Sequence, residues 1–212
     1  MRNTYKYIVV MLALVFTISS CNEDELIQER LDNNPIDTPD PVEASSGSAD
    51  FTTFISFGNS LTAGLMDAAL YDRSQQNSFA NLLAAKFQEA GGGTYQLPTI
   101  NAPNGFNVSL NDLSDAFNPA NATFGRFFLD LSIPGPSPVV GGDALTPFAG
   151  DNATVNNLGV PGMRLIELAA PGYGSLNPFY ARFATDPAAG TVIAQGLAKQ
   201  PTFMSFWLGN ND

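Results

Sequence analysis

Ser60 is the residue of this sequence best placed to act as a nucleophile. It follows a run rich in Phe, Thr and Ile (51–57), typical of a buried β-strand, and then Gly58, which permits a sharp turn. A serine at such a strand-to-helix turn has its N–H at a helix N-terminus and its hydroxyl at the carboxyl edge of a sheet. Developing negative charge is favoured there. The alternative is that Ser60 only caps the following helix.

Two later segments repeat the arrangement of a hydrophobic strand followed by a glycine-containing turn. Residues 156–164 read Asn-Asn-Leu-Gly-Val-Pro-Gly-Met-Arg, and the first glycine of this segment is Gly159. Residues 203–212 read Phe-Met-Ser-Phe-Trp-Leu-Gly-Asn-Asn-Asp and end in a Gly-x-Asn-Asp motif that contains Asn211. Taken alone, Gly159 fits a turn as well as a site, and Asn211 fits a turn better.

Together the three segments resemble the first three sequence blocks of the SGNH, or GDSL-type, serine esterases and acylhydrolases, in the same order. The resemblance covers residues 51–90 and 154–212. It implies a flavodoxin-like, three-layer α/β/α fold with a parallel sheet that is incomplete at the C-terminus of this chain. It also implies a catalytic Ser60, with the oxyanion held by the N–H groups of Ser60 and Gly159 and the side-chain amide of Asn211.

Four further residues of the three blocks would support the turns: Gly58, Asn59, Gly209 and Asp212. Asn59 is a departure, because the family usually has an aspartate there. Asparagine keeps the shape and one acceptor oxygen but loses the charge. Asp212 matches the last aspartate of the third block and is expected to be structural.

The sequence contains no histidine. A serine hydroxyl is a poor nucleophile until a base removes its proton, and the SGNH pattern supplies that base from an Asp-x-x-His motif near the end of the domain. We therefore expect these 212 residues to be the N-terminal portion of a longer protein, inactive by themselves, with the histidine beyond Asp212. The alternative is a catalytically inactive SGNH-like surface lipoprotein that binds glycan or lipid.

Charge and composition exclude several other functions. Twenty acidic residues against nine basic ones give a net charge of −11, so the chain offers no basic face to nucleic acid. A single cysteine and no histidine leave no internal disulfide and no Cys/His metal site. No calcium loop of the Asp-x-Asp-x-Asp type is present, and we expect no metal and no other cofactor.

The N-terminus has the features of a bacterial lipoprotein signal. Two basic residues precede an apolar run over 7–18, which is too short to span a bilayer comfortably. The following Ile-Ser-Ser-Cys resembles a lipobox, which implies a signal peptide over residues 1–20 and acylation of Cys21. Residues 21–50 are acidic and rich in Pro, Ser and Asn, so we expect a disordered tether between this membrane anchor and the domain.

Localisation follows from the same segment. Cleavage would remove two of the nine basic residues and no acidic one, which leaves 7 bases against 20 acids and a net charge of −13. The acidic residues directly after Cys21 resemble a surface-export signal of some Gram-negative lipoproteins. We expect a lipid-anchored protein of the cell envelope, in the outer membrane and exposed at the surface.

Residues 51–212 are the predicted hydrolase domain. Strands alternate with helices, of which the amphipathic segment 78–90 is the clearest, and this order favours a parallel α/β sheet. Residues 94–151 interrupt the pattern, but their six phenylalanines are too many for free disorder. We predict an ordered insertion over the catalytic edge of the sheet; packing elsewhere is the alternative.

The sequence thus predicts an ester hydrolase that cleaves an acyl or acetyl ester through an acyl-enzyme intermediate. The aromatic residues of the insertion suit acyl chains and sugar faces equally well. Both a lipid and an acylated carbohydrate therefore remain open as the ester substrate.

Overall fold

The computed structural model describes residues 23–33 and 43–212 of the 212-residue chain. The predicted signal peptide and the lipidation site Cys21 lie outside the described residues. Within the described ranges, no helix is both long enough and apolar enough to cross a membrane. The chain divides into two compact units, 1–42 and 43–212.

The first unit contains helix α1, Glu23–Asn33, within the segment where no regular structure was expected. Its residues 27–33 are exposed. The sequence of α1 is rich in Glu, Gln, Leu and Arg, which are good helix formers, and this local preference accounts for the difference. The rest of the tether stays a prediction.

The second unit alternates strands and helices, with a long β-rich segment in the middle. Its strands are β1 Phe54–Gly58, β2 Ala69–Leu70, β3 Phe106–Asn107, β4 Phe124–Asp130, β5 Gly135–Val140, β6 Asn157–Gly159 and β7 Phe203–Trp207. Its α-helices are α2 Ser60–Ala63, α3 Asp72–Gln76, α4 Phe79–Glu89, α5 Pro178–Ala181 and α6 Val192–Leu197. Short 3₁₀ helices cover Leu113–Asp115, Pro119–Asn121, Asn152–Thr154, Leu165–Ala169 and Tyr173–Ser175.

Strand β1 is the centre of a parallel sheet with the order β6-β1-β7. Gly58 at the end of β1 is in register with Gly159 of β6 on one side and with Trp207 of β7 on the other. The carboxyl ends of all three strands therefore meet at one edge. This confirms the predicted parallel α/β arrangement, with each strand shorter than its apolar run.

Helices pack on both faces of this sheet. Phe54 and Phe57 project to opposite faces of β1 because side chains alternate along a strand. The ring of Phe54 lies 4.9 Å from that of Phe87 in α4. Phe57 packs against Gly196 of α6, where an added Cβ would lie 2.6 Å from Cε1 of the Phe57 ring. The second unit is thus an α/β structure with a buried strand at its centre.

The segment 94–151 is ordered and contributes to the core. Ile100, Phe106 and Leu145 are almost completely buried in the same cluster as Phe57. Strand β3 pairs antiparallel with β2, and β4 and β5 form an antiparallel pair. The Phe127 N–H donates to the carbonyl of Asp67 (2.8 Å), so the segment packs against the chain that follows α2.

Arg182 links the segment 94–151 to the rest of the second unit through hydrogen bonds. Its side chain is 2% exposed and donates to the carbonyls of Thr146 (2.7 Å), Thr99 (3.0 Å) and Pro98 (3.1 Å). Burial lowers the pKa of its guanidinium to about 10. A buried cation is tolerated here because three carbonyl oxygens replace its hydration.

The first helix after β1 is short, whereas the predicted segment 78–90 forms a longer one. The apolar run 61–70 divides into the four-residue α2 and strand β2, because the chain turns back at Asp67 and Ala68, both at positive φ. Helix α4 agrees closely with the predicted 78–90, and Ser78 caps it. Its buried residues are Ala80 and Ala84, whereas Leu82 is exposed.

Candidate functional site

Ser60 is the first residue of α2, at the carboxyl edge of the sheet. The N-cap is Asn59, whose Oδ1 accepts from the N–H of Leu61 at 3.4 Å. The interpretation of Ser60 as the capping residue is therefore wrong. Ser60 is half-buried, and neither its hydroxyl nor its N–H forms a hydrogen bond with a described residue. A serine free on both groups is available to a ligand at this edge.

Asn59 joins the first segment to the third. Its side chain is completely buried, and its amide donates to Oδ1 of Asn210. The sequence predicts Asn59 to support the turn but indicates no role for Asn210, the variable residue of the Gly-x-Asn-Asp motif. Only its polar amide side chain suggests a role for Asn210, and the local sequence does not show which group this amide would contact.

Asn211 and Asp212 join the third segment to the second. The Asn211 amide donates to the carbonyl of Met163 at 3.0 Å, which uses one of its two N–H bonds. The carboxylate of Asp212 accepts from the N–H of Leu165 at 3.0 Å. The structure therefore brings the predicted residues of the third block against the loop after β6.

Gly159 does not offer the predicted oxyanion donor in this structure. Its N–H is buried and donates to Oδ1 of Asn157 at 2.9 Å, while the amide of Asn157 donates to the carbonyl of Thr62, also at 2.9 Å. The structure gives a packing reason for glycine at this position. A Cβ at Gly159 would lie 2.6 Å from the carbonyl carbon of Thr62, so glycine is needed for α2 to approach the sheet.

Gly162, three residues later, has the properties that Gly159 lacks. It is exposed, its φ is +81°, and a Cβ there would meet nothing within 4 Å. Its N–H forms no hydrogen bond with a described residue. From the sequence, Gly162 is expected only to permit a turn, because local sequence does not show which of two glycines leaves its N–H without a partner.

Gly58 and Gly209 are placed as turn-supporting residues. A Cβ at Gly58 would lie 2.6 Å from Cβ of Thr62 and 3.0 Å from the carbonyl oxygen of Trp207. Gly209 has φ of +101°, which side-chain-bearing residues rarely adopt. Both glycines thus permit the close approach and the turn that the site requires.

An open apolar groove of about 420 Å³ lies beside α2. It is lined by Leu61, Gly64, Leu65, Met66, Asn77, Phe79, Leu82 and Trp207. Because Leu61 directly follows Ser60, the groove begins next to the candidate nucleophile. Its surface could hold an aliphatic chain of a few carbons.

A second cavity of about 400 Å³, here called the arginine pocket, adjoins this groove. Its lining consists of Met66, Asp67, Tyr71, Arg73, Ser74, Asn77, Pro103 and Arg126. The Tyr71 hydroxyl donates to Oδ2 of Asp67 at 2.7 Å. Burial, reinforced by this hydrogen bond, raises the pKa of Tyr71 to about 12, so the phenol stays protonated at neutral pH.

Among the described residues, no group of three or more Asp, Glu, Cys or His side chains is arranged to hold a metal ion. Two carboxylates of this region already accept hydrogen bonds, Asp212 from the Leu165 N–H and Asp67 from the Tyr71 hydroxyl. Comparison of the chain with family models, curated proteins and solved structures finds no match.

Proposed function

We propose that this chain carries the nucleophile and the oxyanion-binding groups of a serine ester hydrolase of the SGNH type. The observation that carries the proposal is that three polar turns, each following a parallel strand, are hydrogen-bonded to one another around a half-buried Ser60. The sheet order β6-β1-β7, with helices on both faces, is compatible with the flavodoxin-like, three-layer fold that belongs to this proposal.

In the proposed reaction the Ser60 hydroxyl attacks the ester carbonyl. The proton passes to a base, the Oγ–C bond forms, and the alcohol leaves as it takes the proton back; water then releases the acid. The free N–H of Ser60 and the remaining N–H of Asn211 would hold the oxyanion. The free N–H of Gly162 is the third donor in place of Gly159. Losing one such donor typically raises the barrier by about 3–4 kcal/mol.

The base in this proposal is a histidine outside these 212 residues, which contain none. A larger sheet is compatible with the exposure of β7, where Met204, Phe206 and Trp207 are 40%, 53% and 50% exposed. Strands of parallel sheets are normally covered on both faces. The predicted lipid anchor at Cys21 would hold the enzyme on the cell envelope.

The test has two steps. The first is to read the coding DNA past the codon for Asp212, where we expect an open frame that encodes an Asp-x-x-His. The second is to measure hydrolysis of 4-nitrophenyl acetate and butyrate by the complete protein and by its Ser60→Ala and Ser132→Ala variants. Ser132 is an exposed control on the β4–β5 turn. We expect Ser60→Ala to lose at least about 10³-fold in kcat and Ser132→Ala to keep full activity.

A noncatalytic binding protein is the second candidate, and two observations favour it. The 212 residues hold no histidine, and the Gly159 N–H is already bonded to Asn157. A reading frame without histidine, or ester hydrolysis that Ser60→Ala leaves unchanged, would support this candidate and overturn the hydrolase.

A further inference from the structure

We propose that the arginine pocket binds a singly charged anionic group of the substrate, a carboxylate or a phosphodiester. This inference deepens the proposed function, on which it rests, because it makes the substrate an anionic ester. It starts from the two guanidinium groups of Arg73 and Arg126, which line one cavity in a chain whose net charge is −11.

Neither guanidinium group has an anionic partner among the residues that the structure describes. Within the described residues, salt bridges join Lys86 to Glu89 and Arg164 to Glu167. Neither Arg73 nor Arg126 takes part in a salt bridge or donates a side-chain hydrogen bond there. Arg126 instead lies over the ring of Tyr71, 5.4 Å from its centroid, which holds the guanidinium in place without using its N–H donors.

The wall of the pocket is a strained turn. Met66 and Ala69 exchange two backbone hydrogen bonds, 3.0 and 2.8 Å, around Asp67 and Ala68 at φ of +52° and +58°. A two-residue turn of this type normally contains Asn or Gly, and alanine is unfavourable in it. Strain of this kind persists where surrounding structure enforces it and is concentrated at functional sites.

The inserted segment enforces this turn. The N–H of Phe127 donates to the carbonyl of Asp67 at 2.8 Å, and the N–H of Val108 donates to that of Ala68 at 2.9 Å. The same strand, β4, carries Arg126. One set of contacts therefore fixes the turn, directs Asp67 to the hydroxyl of Tyr71, and places Arg126 over the Tyr71 ring.

The charges of the pocket favour one negative charge on the ligand. Two arginines and Asp67 give a net charge of +1, and Asp67 is already bonded to Tyr71. A carboxylate or a phosphodiester balances this charge, whereas the dianion of a phosphomonoester would leave one negative charge unbalanced in the pocket. The guanidinium fork matches the paired oxygens of either group.

The position of the pocket connects it to the proposed chemistry. Met66 and Asn77 line both the arginine pocket and the apolar groove, and the groove continues to Leu61 beside Ser60. A substrate with its anionic group at the arginines and an apolar part in the groove would therefore extend toward the nucleophile.

The test measures binding by titration calorimetry and by NMR chemical-shift changes of the protein. The probes are glucuronate, a carboxylate on a sugar, and glycerophosphoglycerol, a phosphodiester; glucose and glycerol are their neutral controls. We expect one or both anions to bind and the neutral compounds not to bind. The anion that binds more tightly shows whether the charged group of the substrate is a carboxylate or a phosphodiester.

Variants locate the site. We expect Arg126→Gln and Arg73→Gln each to weaken binding at least about 10-fold, and Arg164→Gln, an exposed arginine paired with Glu167 outside the pocket, to leave it unchanged. Because Arg126 also packs on Tyr71, circular dichroism checks its variant, and the exposed Arg73 gives a second variant that does not depend on that packing. Unchanged affinity in the Arg73 and Arg126 variants, binding of neutral probes, or no binding of either anion would overturn the proposal.

This experiment separates the two proposals. Ser60→Ala should retain the binding of anions, because Ser60 does not line the arginine pocket. Anion binding without ester hydrolysis would therefore refute the hydrolase alone. Hydrolysis of neutral esters without anion binding would refute the arginine pocket alone.

Discussion

The buried amide of Asn59 donates a hydrogen bond to Oδ1 of Asn210, and this contact links the turns that follow β1 and β7. An aspartate at position 59 could not make the same bond, because an ionised carboxylate only accepts. The amide at position 59 is therefore matched by an amide on the neighbouring turn. The pair explains how the site keeps its geometry without a charge at position 59.

We predict that Asn59→Ala lowers the free energy of unfolding by about 1–3 kcal/mol, since it removes both a helix cap and the bond to Asn210. Asn210→Ala removes only the second contact and should cost less. Urea denaturation of the two single variants and the double variant gives the coupling energy, which we expect to be about 0.5–1.5 kcal/mol. Strictly additive losses would show that the two side chains do not interact.

Gly159→Ala should be strongly destabilising. Its new Cβ would lie 2.6 Å from the carbonyl carbon of Thr62, so α2 or β6 would have to move, at a cost of about 1–3 kcal/mol. Gly135→Ala is the matched control, because there the nearest atom is the Ile133 carbonyl oxygen at 3.5 Å. Thermal unfolding of both variants provides the measurement. Equal melting temperatures for the two would contradict the close packing of α2 on Gly159.

Arg182→Met should lower the free energy of unfolding by about 3 kcal/mol or more, because three buried carbonyls lose their donors. Arg182→Lys should recover only part of this loss, since one ammonium cannot reach the acceptors in the geometry of a guanidinium fork. Arg164→Met, at an exposed ion pair, is expected to change the stability by less than about 1 kcal/mol. Urea denaturation distinguishes the three variants, and similar stability of Arg182→Met and Arg164→Met would refute the anchoring role.

Tyr71 should make the free energy of unfolding depend on pH in the alkaline range. Its pKa is raised to about 12 in the folded chain, chiefly by burial, against an ordinary value near 10. The folded state therefore holds the proton more tightly, so this stabilisation is complete below pH 10 and is lost as the pH rises through 12.

We expect the free energy of unfolding of the wild type to fall more steeply between pH 10 and 12 than that of Tyr71→Phe. Denaturation curves at several pH values in this window provide the comparison, with phenolate absorbance near 295 nm to follow ionisation. Identical slopes would show that Tyr71 titrates as it does in the unfolded chain.

Local sequence predicted the elements of this protein whose residues specify their own structure. The apolar run that ends at Gly58 forms β1, and the periodic segment from Ser78 forms α4 with Ser78 as its cap. Alternation and spacing carry this information without reference to distant residues. That Ser60 and Asn211 would share one site was implied only by the resemblance to the SGNH hydrolases.

Only the tertiary structure decided which groups are free to act. The Gly159 N–H is bonded to Asn157, the Gly162 N–H has no described partner, and Ser60 follows the cap instead of forming it. Arg126 reaches Tyr71 only because the inserted segment folds back on the turn at Asp67. These contacts join residues that are far apart in the chain, so their energies depend on packing that no local pattern records.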